Sequence, residues 1–192
     1  MTALEPDPER DAALRAALPH VEAGGWTMTA LEAGIRAAGH DPVAATWMFP
    51  RGIVSAIEAW ADLTDRDVAA AAGPEVAALR IPDRIRAVVA ARLRLLAPHK
   101  RALRGALGLL ALPWNAIPAA RIAARTADAM WHAAGDASAD FSWYTRRATL
   151  AAIYGATLAY WLRDEDPEVD AALGFLDRRL ADLGRLRRRR AA

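Results

Sequence analysis

Four histidines, twenty-three side-chain carboxylates and no cysteine are the groups from which this chain would have to build a reactive centre. His20, His40, His99 and His132 are scattered, and no two stand three or four apart, so one helix face cannot offer a metal two imidazoles. There is no His-Glu-x-x-His, no Glu-x-x-His pair of the di-iron kind, no Gly-rich phosphate loop and no Gly-x-Ser-x-Gly elbow. The absence of cysteine excludes disulfides, thiolate metal sites and a thiol nucleophile, and it fits a reducing compartment. Asp128 and His132 lie four apart and would meet on a helix, where a local hydrogen bond or capping contact is the simpler use than proton transfer. The chemistry expected is therefore that of a non-enzyme, with no catalytic residue, no metal and no cofactor.

The side chains that stand out are large and aromatic. Residues 131–147 read WHAAGDASADFSWYTRR, a polar turn between two aromatic pieces. After it, Trp143, Arg147, Leu150, Tyr154 and Trp161 recur at helical spacing, which is what a buried helix face requires of its inner members. Trp143 and Tyr144 fall in the first turn beside the polar loop, where full burial is harder. Amphipathic aromatics next to an arginine are the anchors of protein interfaces. On another face Ala148, Ala152, Gly155 and Ala159 form a row of small side chains that lets a second helix approach closely.

The elements that position these groups are all helical. Expected helices cover 10–23, then MTALEAGIRAAG behind Thr27, and a short PVAATWMF segment opened by Asp41-Pro42. Others cover 53–63, the stretch from Asp83, HKRALRGALGLLAL after Pro98, AARIAARTADAMWHAAG after Pro118, a long helix capped by Asp140 through Arg163, and 168–189. In the helix from Asp83, Ile85, Val88, Val89, Leu93 and Leu96 form the apolar stripe, and arginines are expected on the other side. That gives about nine helices and no strands, with residues 1–70 as one part and 71–192 as a second within a single unit. The layout of the first four helices resembles the helix-turn-helix of TetR-type repressors. Recognition of DNA would need Arg, Lys, Asn or Gln on the third helix, and between Arg36 and Arg51 the chain has none of them. Residues 1–70 carry eleven acids against five arginines, which repels a phosphate backbone. The helix-turn-helix is expected to be vestigial, and a TetR-type ligand-sensing regulator is the alternative function.

Charge elsewhere runs the other way. Residues 80–104 hold eight bases against Asp83 alone, and DRRLADLGRLRRRR holds seven arginines against two aspartates. Such faces serve solubility or attract anionic lipid. No uncharged apolar run reaches the ~20 residues of a membrane span; GALGLLALPWNAIPAA (105–120) is broken by Pro113 and Pro118. The N-terminus has neither a signal-peptide pattern nor that of a transit segment. Together with the Ala/Arg-rich composition this leads to the expectation of a bacterial cytoplasmic protein, peripheral on the inner membrane.

The stretch from Trp131 to Trp161 closely resembles the central signature of the ubiquinone-biosynthesis lipid-binding family Coq-nine, and Trp131 through Arg147 match its pattern Trp-His-x-Ala-Gly-Asp-x-Ser-x-Asp-Phe-x-Trp-Tyr-Thr-x-Arg. The likeness continues through LAPHKRALRGALGLLALPWNA, FPRG and FLDRRLADL. The resemblance implies a TetR-like helical homodimer that has lost DNA binding and gained a lipid pocket. It implies a bound isoprenoid lipid or quinone intermediate, presented to the di-iron demethoxyubiquinone hydroxylase. Partner contacts would then fall on Asp128, Met130, Trp131, Asp136, Asp140, Trp143, Tyr144 and Arg147. The pocket would be lined from Ile85, Val89, Leu93 and Leu96, from Leu107, Leu110, Trp114 and Ile117, and from Leu150, Tyr154, Leu158 and Trp161. The family's further C-terminal amphipathic helix has no counterpart in LRRRRAA, so membrane contact would rest on 105–120 and the arginine tail.

Overall fold

Three short polar side chains start the first helices. Asp7 accepts hydrogen bonds from the N–H groups of Glu9 and Arg10 at 3.1 Å each. Thr27 accepts from Ala30 at 3.1 Å, and Asp41 from Val43 at 2.9 Å. Each cap satisfies an otherwise unpartnered N–H and stabilises its helix by about 1 kcal/mol. The computed structural model describes residues 5–73, 76, 78–135, 142–163 and 168–191, the side chains of Ser142, Trp143 and residues 186–191 excepted. Its helices are α1 (Pro8–Gly24), α2 (Met28–Ala37), α3 (Ala45–Met48), α4 (Ile53–Ala71), α5 (Ile81–Leu96), α6 (Lys100–Leu110), α7 (Ala116–Ala133), α8 (Ser142–Trp161) and α9 (Asp170–Ala191). Tighter 3₁₀ turns at Pro42–Ala44, Ala97–His99 and Pro113–Asn115 lead into α3, α6 and α7. No strand occurs among the described residues.

The all-helical reading holds, and its boundaries move for local reasons. α4 continues past Leu63 to Ala71. α7 begins at Ala116 rather than after Pro118, because a proline in the first turn lacks only an N–H that would have no helical acceptor. α9 starts at Asp170. The expected Asp140 cap lies outside the described residues.

By packing, the chain groups into two units, each assembled from two stretches: residues 1–64 with 99–125, and residues 65–98 with 126–192. Of the three boundaries, two fall inside α4 and α7 and the third in the 3₁₀ turn Ala97–His99.

In the first unit α1 and α2 pack together over buried Leu14, Val21, Leu31 and Ile35. The approach is close at Gly34: a Cβ there would stand 2.4 Å from the Cβ of Ala17. Trp26 donates its indole N–H to the Ala102 carbonyl at 2.8 Å and lies 5.4 Å, centroid to centroid, from Trp60. Glu22 caps the start of α6 by accepting from the Ala102 N–H at 2.8 Å. Around the helix-turn-helix, α3 is a single turn, and Val43 and Trp47 stand exposed where a DNA-reading helix would carry polar side chains.

In the second unit α9 packs on α8 and α5 over buried Val88, Val89, Leu93, Leu173 and Leu176. Tyr160 of α8 stacks on Phe175 of α9 at 4.9 Å, and Arg86 of α5 holds Asp177 of α9 at 2.8 Å.

Candidate functional site

The aromatic signature begins at the end of α7 and resumes in the first turns of α8. Gly135 ends α7 with φ +78°, and its N–H bonds to the His132 carbonyl at 2.8 Å. A Cβ at Gly135 would lie 3.2 Å from the Arg84 guanidinium, which itself donates to the Ala134 carbonyl at 3.3 Å. Glycine is thus favoured by the left-handed backbone, and a larger residue would also shift the arginine over it by a few tenths of an ångström. Across the helices, Arg147 Nε of α8 donates to the Asp128 carboxylate of α7 at 2.5 Å. His132 Nδ1 sits 2.9 Å from the Asp128 carbonyl, the local contact that their spacing predicts.

Among the expected partner-contact residues whose side chains are described, Tyr144 alone is fully presented to solvent, at 75% exposure. The Asp128 side chain is a third exposed. Met130, Trp131 and Arg147 are buried. The Trp131 indole N–H finds no acceptor among the described residues. Asp136 and Asp140 lie outside the described residues; Trp143 belongs to the first turn of α8, but its side chain lies outside them too.

The twelve expected lipid-lining residues divide between the two units. Ile85, Val89, Leu93 and Leu96 of α5 and Leu150, Tyr154, Leu158 and Trp161 of α8 are all buried in the second unit. Leu107, Trp114 and Ile117 belong to the first unit and are exposed, Trp114 at 75% and Ile117 at 74%, with Leu110 partly exposed. These four members are therefore not buried with the other eight. In α6, Ala102, Leu103 and Ala106 take the buried face and leave Leu107 at its edge. The row of small side chains on α8, Ala148, Ala152, Gly155 and Ala159, is exposed along its whole length.

Two buried charge clusters are absent from the sequence reading. Arg92 of α5 is fully buried; its Nε donates to the Tyr154 hydroxyl at 2.9 Å and its Nη1 pairs with Asp65, whose second oxygen accepts from Thr126 at 3.1 Å. The expectation that the α5 arginines cover the solvent side is wrong at this position. Residue 92 stands four after Val88, three after Val89 and four before Leu96, on the apolar face, so periodicity alone was a sufficient signal. Burial works against the Arg92 charge, but the Asp65 carboxylate and the Tyr154 hydroxyl overcome it and hold the guanidinium above its ordinary range. Burial pushes the Tyr154 phenol up, so it stays protonated and can be the network's donor or acceptor. In the first unit the buried Glu58 carboxylate is met by Arg51, by Arg121 at 3.2 Å and by Arg125 at 3.9 Å. Among the described residues no three His, Cys, Asp or Glu side chains are placed to hold a metal ion.

Residues 116–187 match the sequence profile of the COQ9 family. The chain is 33% identical over 177 residues to the human ubiquinone biosynthesis protein COQ9, mitochondrial, covering 88% of this chain and 55% of that protein. It is 43% identical over 98 residues to the rat protein of the same name, covering 51% of this chain and 31% of the relative. Against the fission-yeast coq9 it is 28% identical over 168 residues. It thus spans about half the length, or less, of the human and rat relatives it matches. In three dimensions it is similar to a TetR transcriptional regulator from Nitrosomonas europaea, with a TM-score of 0.71 over 91% of this chain and 97% of the other at 24% identity, a likeness of fold alone. The expected bacterial cytoplasmic placement is overturned by the same relatives, which are named as mitochondrial proteins of eukaryotes. An N-terminal pattern and an Ala/Arg-rich composition carry too little information about compartment to stand against them. The all-helical, TetR-like fold and the signature of residues 131–147 thus agree with the sequence matches, and the chain belongs to the COQ9 family.

Proposed function

We propose that this chain is a non-enzymatic accessory protein of ubiquinone biosynthesis that binds an isoprenoid quinone intermediate and presents it to the di-iron demethoxyubiquinone hydroxylase. The observation that carries this reading is its relation over 88% of its length to a protein named for ubiquinone biosynthesis. The distribution of side chains supports it. Eight apolar or aromatic residues of α5 and α8 are buried together in one unit, and an isoprene tail gains about 25 cal/mol per Å² of apolar surface removed from water. Trp143 and the exposed Tyr144, in the first turn of α8, are the docking anchors for the hydroxylase. The exposed small-residue row of α8 suits a homodimer contact, since it lets a second helix come close.

Mass spectrometry of an organic extract of the purified protein tests the lipid. A co-purifying isoprenoid quinone or precursor is expected; an extract with nothing above a mock preparation overturns the lipid-presenting role. Tyr144→Ala is expected to lose hydroxylase in a pull-down while keeping its lipid. Equal recovery of the hydroxylase by Tyr144→Ala and Trp143→Ala proteins would remove the anchors from this patch.

A further inference from the structure

The buried face of α8 carries three polar side chains from Leu150 to Trp161, and two of them have spent their donors. Thr157 gives its hydroxyl proton to the Ile153 carbonyl at 2.8 Å, and Trp161 gives its indole N–H to the Glu168 carbonyl at 3.1 Å. Tyr154 is the third. It is only 8% exposed, and its hydroxyl oxygen accepts from Arg92 Nε at 2.9 Å, a bond that does not use the phenolic proton. The carboxylate of the same network is engaged elsewhere: one Asp65 oxygen pairs with Arg92 Nη1, and the other accepts from Thr126 at 3.1 Å. Among the described residues the phenolic proton therefore has no acceptor. A buried donor left unspent is costly, which is why such groups are rare in protein cores.

The surroundings of this hydroxyl fit a ligand with one polar head and an apolar tail. Leu150 and Leu158 stand one turn to either side of Tyr154 on α8, and Val88, Val89 and Leu96 flank Arg92 on α5; all are buried. Apolar sites take most of their affinity from such walls and their orientation from a few polar groups. Arg92 strengthens the donor, because a cation that donates to the phenol oxygen draws density from the O–H and makes its proton easier to share. Burial meanwhile keeps that proton on the phenol. We infer that the Tyr154 hydroxyl, with Arg92 behind it, is the donor that recognises the head of the bound lipid, taking a quinone carbonyl as its acceptor. The inference rests on the lipid-presenting function proposed above and adds to it the atom that tells a head from a tail. Arg92 is a positioning residue for that atom, and Asp65 holds Arg92. A polyprenyl hydrocarbon would satisfy the apolar walls and leave the donor unspent, so the site discriminates by the oxygen.

The test is equilibrium dialysis of the full chain, stripped of lipid, against two probes that share a geranyl tail. One is a geranyl-substituted dimethoxybenzoquinone; the other is geranylbenzene, which has a ring but no oxygen. The parent is expected to bind the quinone at least about tenfold more tightly. Tyr154→Phe, which removes only the hydroxyl, should lose that preference and hold geranylbenzene as the parent does. A preference that survives in Tyr154→Phe overturns the assignment. So does a variant that loses both probes by the same factor, since the hydroxyl is then structural. A parent that binds the two probes alike overturns it as well and leaves the lipid-presenting function standing, whereas a parent that binds neither removes both. Because Tyr154→Phe also takes an acceptor from Arg92, the parent supplies a second measurement that needs no variant. The infrared carbonyl stretch of the bound quinone is expected below its value in hexane, the mark of an accepted hydrogen bond, and an unshifted band overturns the inference.

Discussion

Two apolar regions of this protein have similar composition and opposite situations. On α5 and α8 the large hydrophobic residues are buried around the Arg92–Asp65–Tyr154 network, whereas from Leu107 to Ala120 they face water. Hydrophobicity alone does not separate them. What separates them is cover: α9 packs on both α5 and α8, while the exposed side of the α6–α7 corner has no such element among the described residues of its unit. An apolar face that the fold itself covers contributes stability, and one left uncovered is free to contribute binding.

Breaking the charge network of the covered region has the largest expected effect. Asp65→Ala leaves the Arg92 guanidinium buried without its carboxylate and should cost about 4 kcal/mol, read as a drop in denaturant midpoint. Asp65→Ala unfolding at the parent midpoint would mean that Arg92 reaches water. Next is Leu93→Ala, expected to cost about 3 kcal/mol, or a fall in Tm of roughly 10 °C for a chain of this size. Leu93→Ala also sharpens the comparison. If Leu93 lines a lipid site, the loss shrinks in protein stripped of lipid; if it is plain core, stripping changes nothing.

A smaller effect belongs to the first unit. Burial holds the half-buried His99 imidazole below its ordinary value of 6.5, against the pull of Glu22. Its folded pKa is depressed, so the unfolded chain binds the proton more readily and stability is full above the unfolded value. It should fall as pH drops below about 6.5. Tm measured against pH should show that decline, and His99→Gln should flatten it; an unchanged profile in the variant would assign the decline to other groups. The smallest effect is Trp114→Ser, expected within about 0.5 kcal/mol of the parent, because an exposed ring stabilises little. A large loss there would mean that the corner is covered in solution.

Much of the fold was legible because its signals are local. Thr27 and Asp41 mark helix starts by what one side chain does to the nearest backbone groups, and Gly39 marks an end by its left-handed backbone. Arg92 was legible in principle, since its place in the α5 period puts it on the apolar face. Glu58 was not: two of its arginine partners lie more than sixty residues away on α7, and nothing in the local pattern joins them. A family resemblance also cannot tell whether an apolar face is covered, and it groups Leu107, Trp114 and Ile117, which are exposed, with Leu93 and Trp161, which are buried. The signature at 131–147 pointed to the family and to a patch, but not to the burial of Met130, Trp131 and Arg147 within it.

The contact of Gly34 with Ala17 has a consequence for what substitutions this fold can accept. With no room for one methyl group between α1 and α2, every other residue type at position 34 must push the two helices apart. Position 34 therefore acts as a gauge of divergence. A related chain that keeps glycine there can keep this helix spacing, and one that has lost it must have re-seated its first two helices, however similar the rest of its sequence.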